Sequence, residues 1–163
     1  MVRGDSARRR ATGRLRTIDL RTLMTPANPQ ITIERSNAVL PGSFPGDMGF
    51  ELTEITDQRA CGRMTVDRRH LHPGGYVHGG IWSAFADTVA AWGTMRLLEP
   101  GSDFTTVEMK TNVFAAGVEG DVLTAVAQPL HTGRRTHVWE VRIHRGERLM
   151  ANFVCTQMVL ARG

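Results

Sequence analysis

The longest apolar stretch of the chain runs from Gly79 to about Leu98. Its large apolar residues, Ile81, Trp82, Phe85, Val89, Trp92, Met95 and Leu97, fall on every side of a helix, and Pro100-Gly101 stops it. A helix that is apolar all round is a buried helix. It also carries Gly79, Gly80, Ser83, Ala84, Ala86, Ala90, Ala91 and Gly93, small residues that let a sheet approach closely. Upstream, residues 48–66 read as two strands with a turn near Thr56-Asp57, the second alternating so that Ala60, Gly62, Met64 and Val66 share a face. Downstream come four strand-like segments, 103–115, 120–130, 135–145 and 148–160. In the first, Val107, Met109, Thr111 and Val113 fall on one face; in the third, His137, Trp139, Val141 and Ile143 lie opposite Val138, Glu140 and Arg142. Glycine turns at 118–120, 131–135 and 144–148 predict successive hairpins. Residues 67–77 are loop, because His72-Pro73-Gly74-Gly75 fits neither a helix interior nor a central strand, and His70 is expected to be exposed there.

Two strands, one long buried helix and an antiparallel meander of four predict an α+β fold, a single antiparallel sheet wrapped around one long central helix. The domain is expected to span 40–163. Residues 40–49 open it as a turn cluster, and 24–39 form an N-terminal arm, a short helix or an irregular segment, packed on it. The outer sheet edge is left to be paired, most simply with a second copy of the chain.

Charge changes the picture only at the N-terminus. The 163 residues carry a net charge of +4, but residues 1–23 hold seven arginines against two aspartates. The rest of the chain is close to neutral, which argues against nucleic acid as a partner. This basic segment lacks apolar periodicity and reads as a disordered tail; an extension upstream of a start at Met24 and an Arg-rich transit peptide are the other readings. No run of eighteen apolar residues is present, since Asp87 interrupts the nearest one, so no membrane partner is expected. Cys61 and Cys155 match no metal spacing and read as small buried hydrophobes in strands; nothing demands an oxidising compartment, and the cytoplasm is the expected location.

The helix opens with "GYVHGG", G-x-x-H-G-G at residues 75–80, and an acid, Asp87, follows nine residues after the histidine. With the strands behind it and the text "PLHTGRRTHVWEVRI" (129–143), this resembles the hotdog-fold acyl-CoA thioesterases. The branch most resembled contains the phenylacetate-pathway thioesterases and 4-hydroxybenzoyl-CoA thioesterase, and the resemblance covers roughly residues 40 to 160. It implies hydrolysis of an acyl-CoA to a carboxylic acid and free CoA by a homodimer, or a dimer of dimers, with no metal and no cofactor beyond the CoA of the substrate. It implies that the Gly79 N–H polarises the thioester carbonyl and that Asp87 is nucleophile or general base. His78 and His72 match positions lining the thioester end, although the place of His72 usually holds Asn or Gln. Thr106, or Thr105 if the register differs by one, matches the hydroxyl that helps to hold the attacking water. Gly75 and Gly80 complete the substrate-binding loop. A non-catalytic acyl-CoA-binding protein and a 3-hydroxyacyl-thioester dehydratase of the same fold are the competing readings.

The residues argue for similar chemistry by themselves. A helix N-terminus presents unpaired N–H groups and a partial positive charge. Glycines at 79 and 80 admit a carbonyl to that backbone, a setting suited to an oxyanion. Asp87 lies eight residues on, ~12 Å along the helix axis at ~1.5 Å per residue. One thioester carbon cannot touch both groups of one helix, so if both act they come from two copies. A structural acid, hydrogen-bonded to a neighbouring loop, is the plainer alternative for Asp87. His70, His72 and His78 spell H-x-H-x5-H, but no cysteine or well-spaced acid completes a metal set. Arg134, Arg135 and Arg148 could contact CoA phosphates, or simply solvate hairpin turns. Trp82, Phe85 and Trp92 read as core, with Trp82 close enough to the helix start to touch substrate as well.

Overall fold

The computed structural model describes residues 28–160. The basic segment 1–23, with residues 24–27 of the arm, lies outside the described residues. Two short helices, α1 (Ile33–Ala38) and α2 (Phe44–Asp47), precede strands β1 (Glu51–Ile55) and β2 (Ala60–Thr65). A 3-10 turn at Arg68–His70 leads to the long helix α3 (Gly79–Leu97). Strands β3 (Asp103–Val113), β4 (Val122–Thr132), β5 (Thr136–Arg145) and β6 (Arg148–Leu160) follow.

All six strands form one antiparallel sheet in the order β1-β2-β4-β5-β6-β3. The expected four-stranded meander is therefore corrected at its first connection. β4 pairs with β2 on one side and β5 on the other, so β3 cannot pair with it and lies at the far edge against β6. The glycine turn at 118–120 belongs to a crossover, not a hairpin. Val77 N–H donates to Gly117 O, and Gly120 N–H donates to Val66 O, tying the crossover to the loop before α3 and to the end of β2. The other two glycine turns do close the hairpins β4–β5 and β5–β6.

The buried face of α3 (Trp82, Phe85, Ala86, Val89, Ala90, Trp92 and Gly93) lies in the curve of the sheet, against Trp139, Val141, Phe153 and Cys155 among others. Close approach is bought by missing side chains: a Cβ on Gly93 would sit 2.5 Å from the Trp139 ring, and one on Gly62 would sit 2.6 Å from Val89. Burial is not complete around the helix. Ile81, Ser83, Ala84, Asp87, Thr88 and Ala91 are only half-buried in one chain, so the expected burial on most sides holds for one face of it. Arg96, near the end of α3, donates to Asn28 O and to Asp57 Oδ1, joining the N-terminal segment and the β1–β2 turn to the helix. The Asn37 amide of α1 exchanges two 2.9 Å bonds with the Leu52 backbone, capping part of the β1 edge.

β3 departs from the alternation read in the sequence. A bulge between Thr106 and Glu108 inserts Val107, and an inserted residue flips the parity of everything beyond it. Cys155, Phe153 and Gln157 of β6 are fully buried, and their cross-strand neighbours Met109, Thr111 and Thr106 share their face. The helix side of β3 is thus Phe104 and Thr106 before the bulge and Met109, Thr111 and Val113 after it. Val107 does not belong to that set.

Candidate functional site

The loop before α3 is built by backbone-to-ring hydrogen bonds. Asp67 accepts from Arg69 N–H, while His70 Nδ1 accepts from Asp67 N–H at 2.8 Å. With Nδ1 occupied, the ring carries its proton on Nε2 and donates to Met48 O at 3.0 Å. His70 is fully buried, and its carbonyl accepts from His78 N–H. The expectation that His70 is an exposed loop residue is therefore corrected: both ring nitrogens and the carbonyl are committed to holding the loop. Loop residues carry no periodicity, so nothing in the pattern marked it.

His72 Nδ1 accepts from Gly74 N–H at 2.9 Å within a tight turn, and Gly75 sits at φ +83°. A Leu71–Val77 bridge closes this turn and delivers the chain to His78. His78 caps α3, its Nδ1 accepting from Gly80 N–H at 2.9 Å. That leaves the Gly79 N–H with no partner among the described residues, and a Cβ placed on Gly79 would meet nothing within 4 Å. The structure thus presents an open donor at the positive end of a 19-residue helix.

Two turns further along, Asp87 projects toward β3. Thr106 Oγ1–H donates to Asp87 Oδ1 at 2.9 Å, and nothing among the described residues bonds Oδ2. One step back along the same helix side, Ser83 and Thr111 hydroxyls meet at 2.7 Å. Of the two threonines considered from the sequence, Thr106 is the one that meets Asp87, while Thr105 is exposed. Burial pushes the Asp87 carboxyl above the usual carboxylate range, and the Thr106 hydroxyl, followed by the nearby Gln157 amide, opposes the rise. Cys155, on β6, is buried, and its thiol is pushed up to about 12, first by burial and then by the Asp87 charge. It stays protonated.

Other expected residues are placed apart from this centre. Trp82 is 2% exposed and packs near Val77 and Gly117 in the core of a single copy. Arg134 and Arg135 lie on the β4–β5 turn, where they line a cleft of about 570 Å³ with Leu97, Leu98, Ser102 and His137. This is the C-terminal end of α3, the opposite end from Gly79 in the same chain. Arg148 stands beside the β5–β6 turn, at the other end of β5. His70, His72 and His78 do not converge, and among the described residues no group of three His, Cys, Asp or Glu side chains could hold a metal ion. Among the described residues no helix is long and apolar enough to cross a membrane.

Two polar residues of the interior went unread in the sequence. Gln157 and Thr94 are both fully buried. Gln157 continues the inward row Ala151, Phe153 and Cys155, so period two alone could have marked it as a buried amide.

Known proteins carry the same frame. The Thioesterase superfamily matches residues 74–151, which include the helix start, Asp87 and Thr106. The proofreading thioesterase EntH of Cronobacter turicensis is 32% identical over 114 residues, 70% of this chain and 82% of that protein. The 1,4-dihydroxy-2-naphthoyl-CoA hydrolase of Listeria monocytogenes is 30% identical over 110 residues, 67% of this chain and 89% of that protein. The crystal structure of thioesterase HI1161 from Haemophilus influenzae superposes with a TM-score of 0.75 at 27% identity, covering 79% of this chain and 90% of that one. With the sheet curled around α3 and these matches in hand, the chain belongs to the thioesterase superfamily and is a hotdog-fold hydrolase of it.

Proposed function

We propose that the protein hydrolyses an acyl-CoA thioester at a site shared by two copies of the chain. The observation that carries this reading is the pair of groups on one helix: an open Gly79 N–H and a half-buried Asp87, separated by ~12 Å along α3. The thioester oxygen takes the hydrogen bond from Gly79 of one copy. Asp87 of the other copy then either attacks the carbonyl carbon itself or takes the proton of a water that attacks it. In both routes the carbon–sulfur bond breaks, the electron pair leaves on the CoA sulfur, and water supplies the oxygen of the acid product. Thr106 holds Oδ1 of Asp87, so Oδ2 is the reacting oxygen. His78 and His72 shape the loop around the carbonyl, with Gly75 and Gly80 keeping it narrow enough for the thioester to approach.

The free edge of the sheet supports the dimer. Among the described residues β3 pairs only on its β6 side, and on it Val107 (54%), Met109 (48%) and Val113 (46%) are exposed. Beside it lies the half-buried strip of α3 that includes Ser83, Asp87 and Ala91. A second copy laid antiparallel along β3 covers this surface and brings the two α3 helices side by side in opposite directions. Arg134 and Arg135 serve the CoA phosphates, as forked cations do. An aromatic acyl group, as in the phenylacetate-pathway and 4-hydroxybenzoyl-CoA branch, is the substrate class to try first; a relative named for a naphthoyl-CoA substrate points the same way. The test is release of free thiol from a panel of acyl-CoAs by wild type and Asp87→Asn. Turnover by wild type and a loss of at least a hundredfold in the variant are expected. Tight binding without turnover by wild type would make the protein a binder instead.

A further inference from the structure

Gln157 lies at the centre of a polar row that crosses three strands. Its cross-strand partners are Thr106 on β3 and His137 on β5. From the helix, Thr94 meets this row at one end and Asp87 at the other. The hydrogen bonds form one chain: Trp139 Nε1–H donates to Thr94 Oγ1 at 2.8 Å, and Thr94 Oγ1–H donates to Gln157 Oε1 at 2.5 Å. Gln157 Nε2–H donates to Thr106 Oγ1 at 3.3 Å, and Thr106 Oγ1–H donates to Asp87 Oδ1 at 2.9 Å.

The direction of this chain is fixed by its two ends. An indole N–H can only donate, so Thr94 accepts from Trp139; an ionised carboxylate can only accept, so Thr106 donates to Asp87 and takes the Gln157 N–H on a lone pair. The amide therefore turns its NH₂ toward Thr106 and its oxygen toward Thr94, whose proton goes to Gln157. His137 Nδ1 stands 3.3 Å from Thr94 Oγ1, whose proton is already committed, so the ring must donate as well and is the Nδ1–H form when neutral. Trp139, Thr94 and Gln157 are all fully buried, so water cannot substitute for a lost link.

We propose that Trp139, Thr94 and Gln157 are positioning residues, a one-way hydrogen-bond relay that fixes Thr106 as a donor to Asp87 Oδ1 and leaves Oδ2 for the reaction. The role in turnover rests on the function proposed above; the relay itself does not. A donor chain ending on a carboxylate favours its ionised form, and the Thr106 hydroxyl, with the Gln157 amide behind it, does hold the Asp87 carboxyl down against burial. The other titratable groups on the elements packed around Asp87 are few. Cys155 of β6 is protonated, and His137 of β5 is lowered by burial and then by His131. Glu108 of β3 lies beyond the bulge, across from Thr156 on the outer face of the sheet. His72 and His78 face Asp87 only from the second copy of the proposed dimer.

The test is titration of the Asp87 side-chain carboxyl by ¹³C NMR in wild type, Thr94→Val and Gln157→Met, with the Asp87→Asn spectrum used for assignment. Each variant stays close in size and removes one member of the chain with the bonds on either side of it. The Asp87 midpoint should move up by about one pH unit, the size expected for losing part of a hydrogen bond to a charged group. In thiol release kcat should fall about tenfold with KM within about twofold, and Thr94→Ser should restore both readings. Trp139→Phe, which removes the indole N–H together with part of the ring, gives the same Asp87 reading if Thr94→Val does not fold. Folded variants with lowered melting temperature but an unmoved Asp87 midpoint would overturn the relay and leave these residues as packing. If the midpoint moves while Asp87→Asn retains full turnover, the relay stands and the proposed role of Asp87 is lost.

Discussion

Replacing Thr106 by valine removes one hydroxyl from the centre of the site and almost nothing else. The hydroxyl makes two bonds, donating to Asp87 Oδ1 at 2.9 Å and accepting from Gln157 Nε2 at 3.3 Å. The first is a bond to a charged acceptor, a class worth about 1.5–3 kcal/mol. Asp87 is only half-buried, so water replaces part of it, and the lower end of that range applies: about 1.5 kcal/mol, close to tenfold in the ionisation equilibrium. The second bond is long and weak, but Gln157 is fully buried, and an amide N–H left there without a partner costs about 1–3 kcal/mol of stability. The sign of the pH effect follows from which form the hydroxyl favours. It donates to the carboxylate, so its loss makes Asp87 harder to ionise, and the acid limb of kcat/KM moves to higher pH by about one unit. Thiol release from an acyl-CoA, followed across pH, reads the limb; a thermal melt reads the stability. Thr106→Ser keeps the donor and should behave as wild type in both. A Thr106→Val enzyme with a lowered melting temperature but an unmoved acid limb would refute the reasoning, because the hydroxyl would then be structural only.

Three further outcomes follow from the same geometry. Because burial raises the Asp87 carboxyl above its unfolded range, the folded state loses stability as pH rises through that range, so Asp87→Asn should melt higher than wild type at neutral pH, with the gain vanishing in acid; equal melting at neutral pH would contradict the burial argument. Gly93→Ala puts a methyl 2.5 Å from the Trp139 ring and should cost about 1–3 kcal/mol by overpacking, read as a melting point several degrees lower, and an unchanged melt would show that Trp139 yields freely. Val113→Asp, on the exposed edge strand, should give monomers in sedimentation and abolish turnover together; active monomers would remove the need for a second copy.

The long helix was legible because its signals are local: apolar residues on every side, a histidine-glycine start and a Pro-Gly stop. The hairpins β4–β5 and β5–β6 were legible for the same reason, with glycine turns between alternating strands. The edge position of β3 was not, since a glycine turn at 118–120 serves a crossover as well as a hairpin, and only the prior pairing of β4 with β2 decides between them. The bulge at Val107 was hidden too, because the run of Val107, Met109, Thr111 and Val113 alternates well with or without it. Asp87 and Gly79 stood out as exceptions to their surroundings, a charge in an apolar helix and a glycine pair at its start. Thr94 and Gln157 break pattern more quietly, as uncharged polar residues in inward rows. His70 showed nothing, because its role depends on a carbonyl 22 residues away.

The claim that one site is shared by two chains is tested most directly by mixing two inactive proteins. Asp87→Asn lacks the carboxylate; Gly79→Pro lacks the backbone donor, at a first-turn position where proline is tolerated. Exchanged through a dissociated state, they form about half heterodimers, each with one intact site of two, so roughly a quarter of wild-type turnover should return. Mixtures that demonstrably exchange subunits yet stay inactive would contradict a site assembled from Gly79 of one copy and Asp87 of the other.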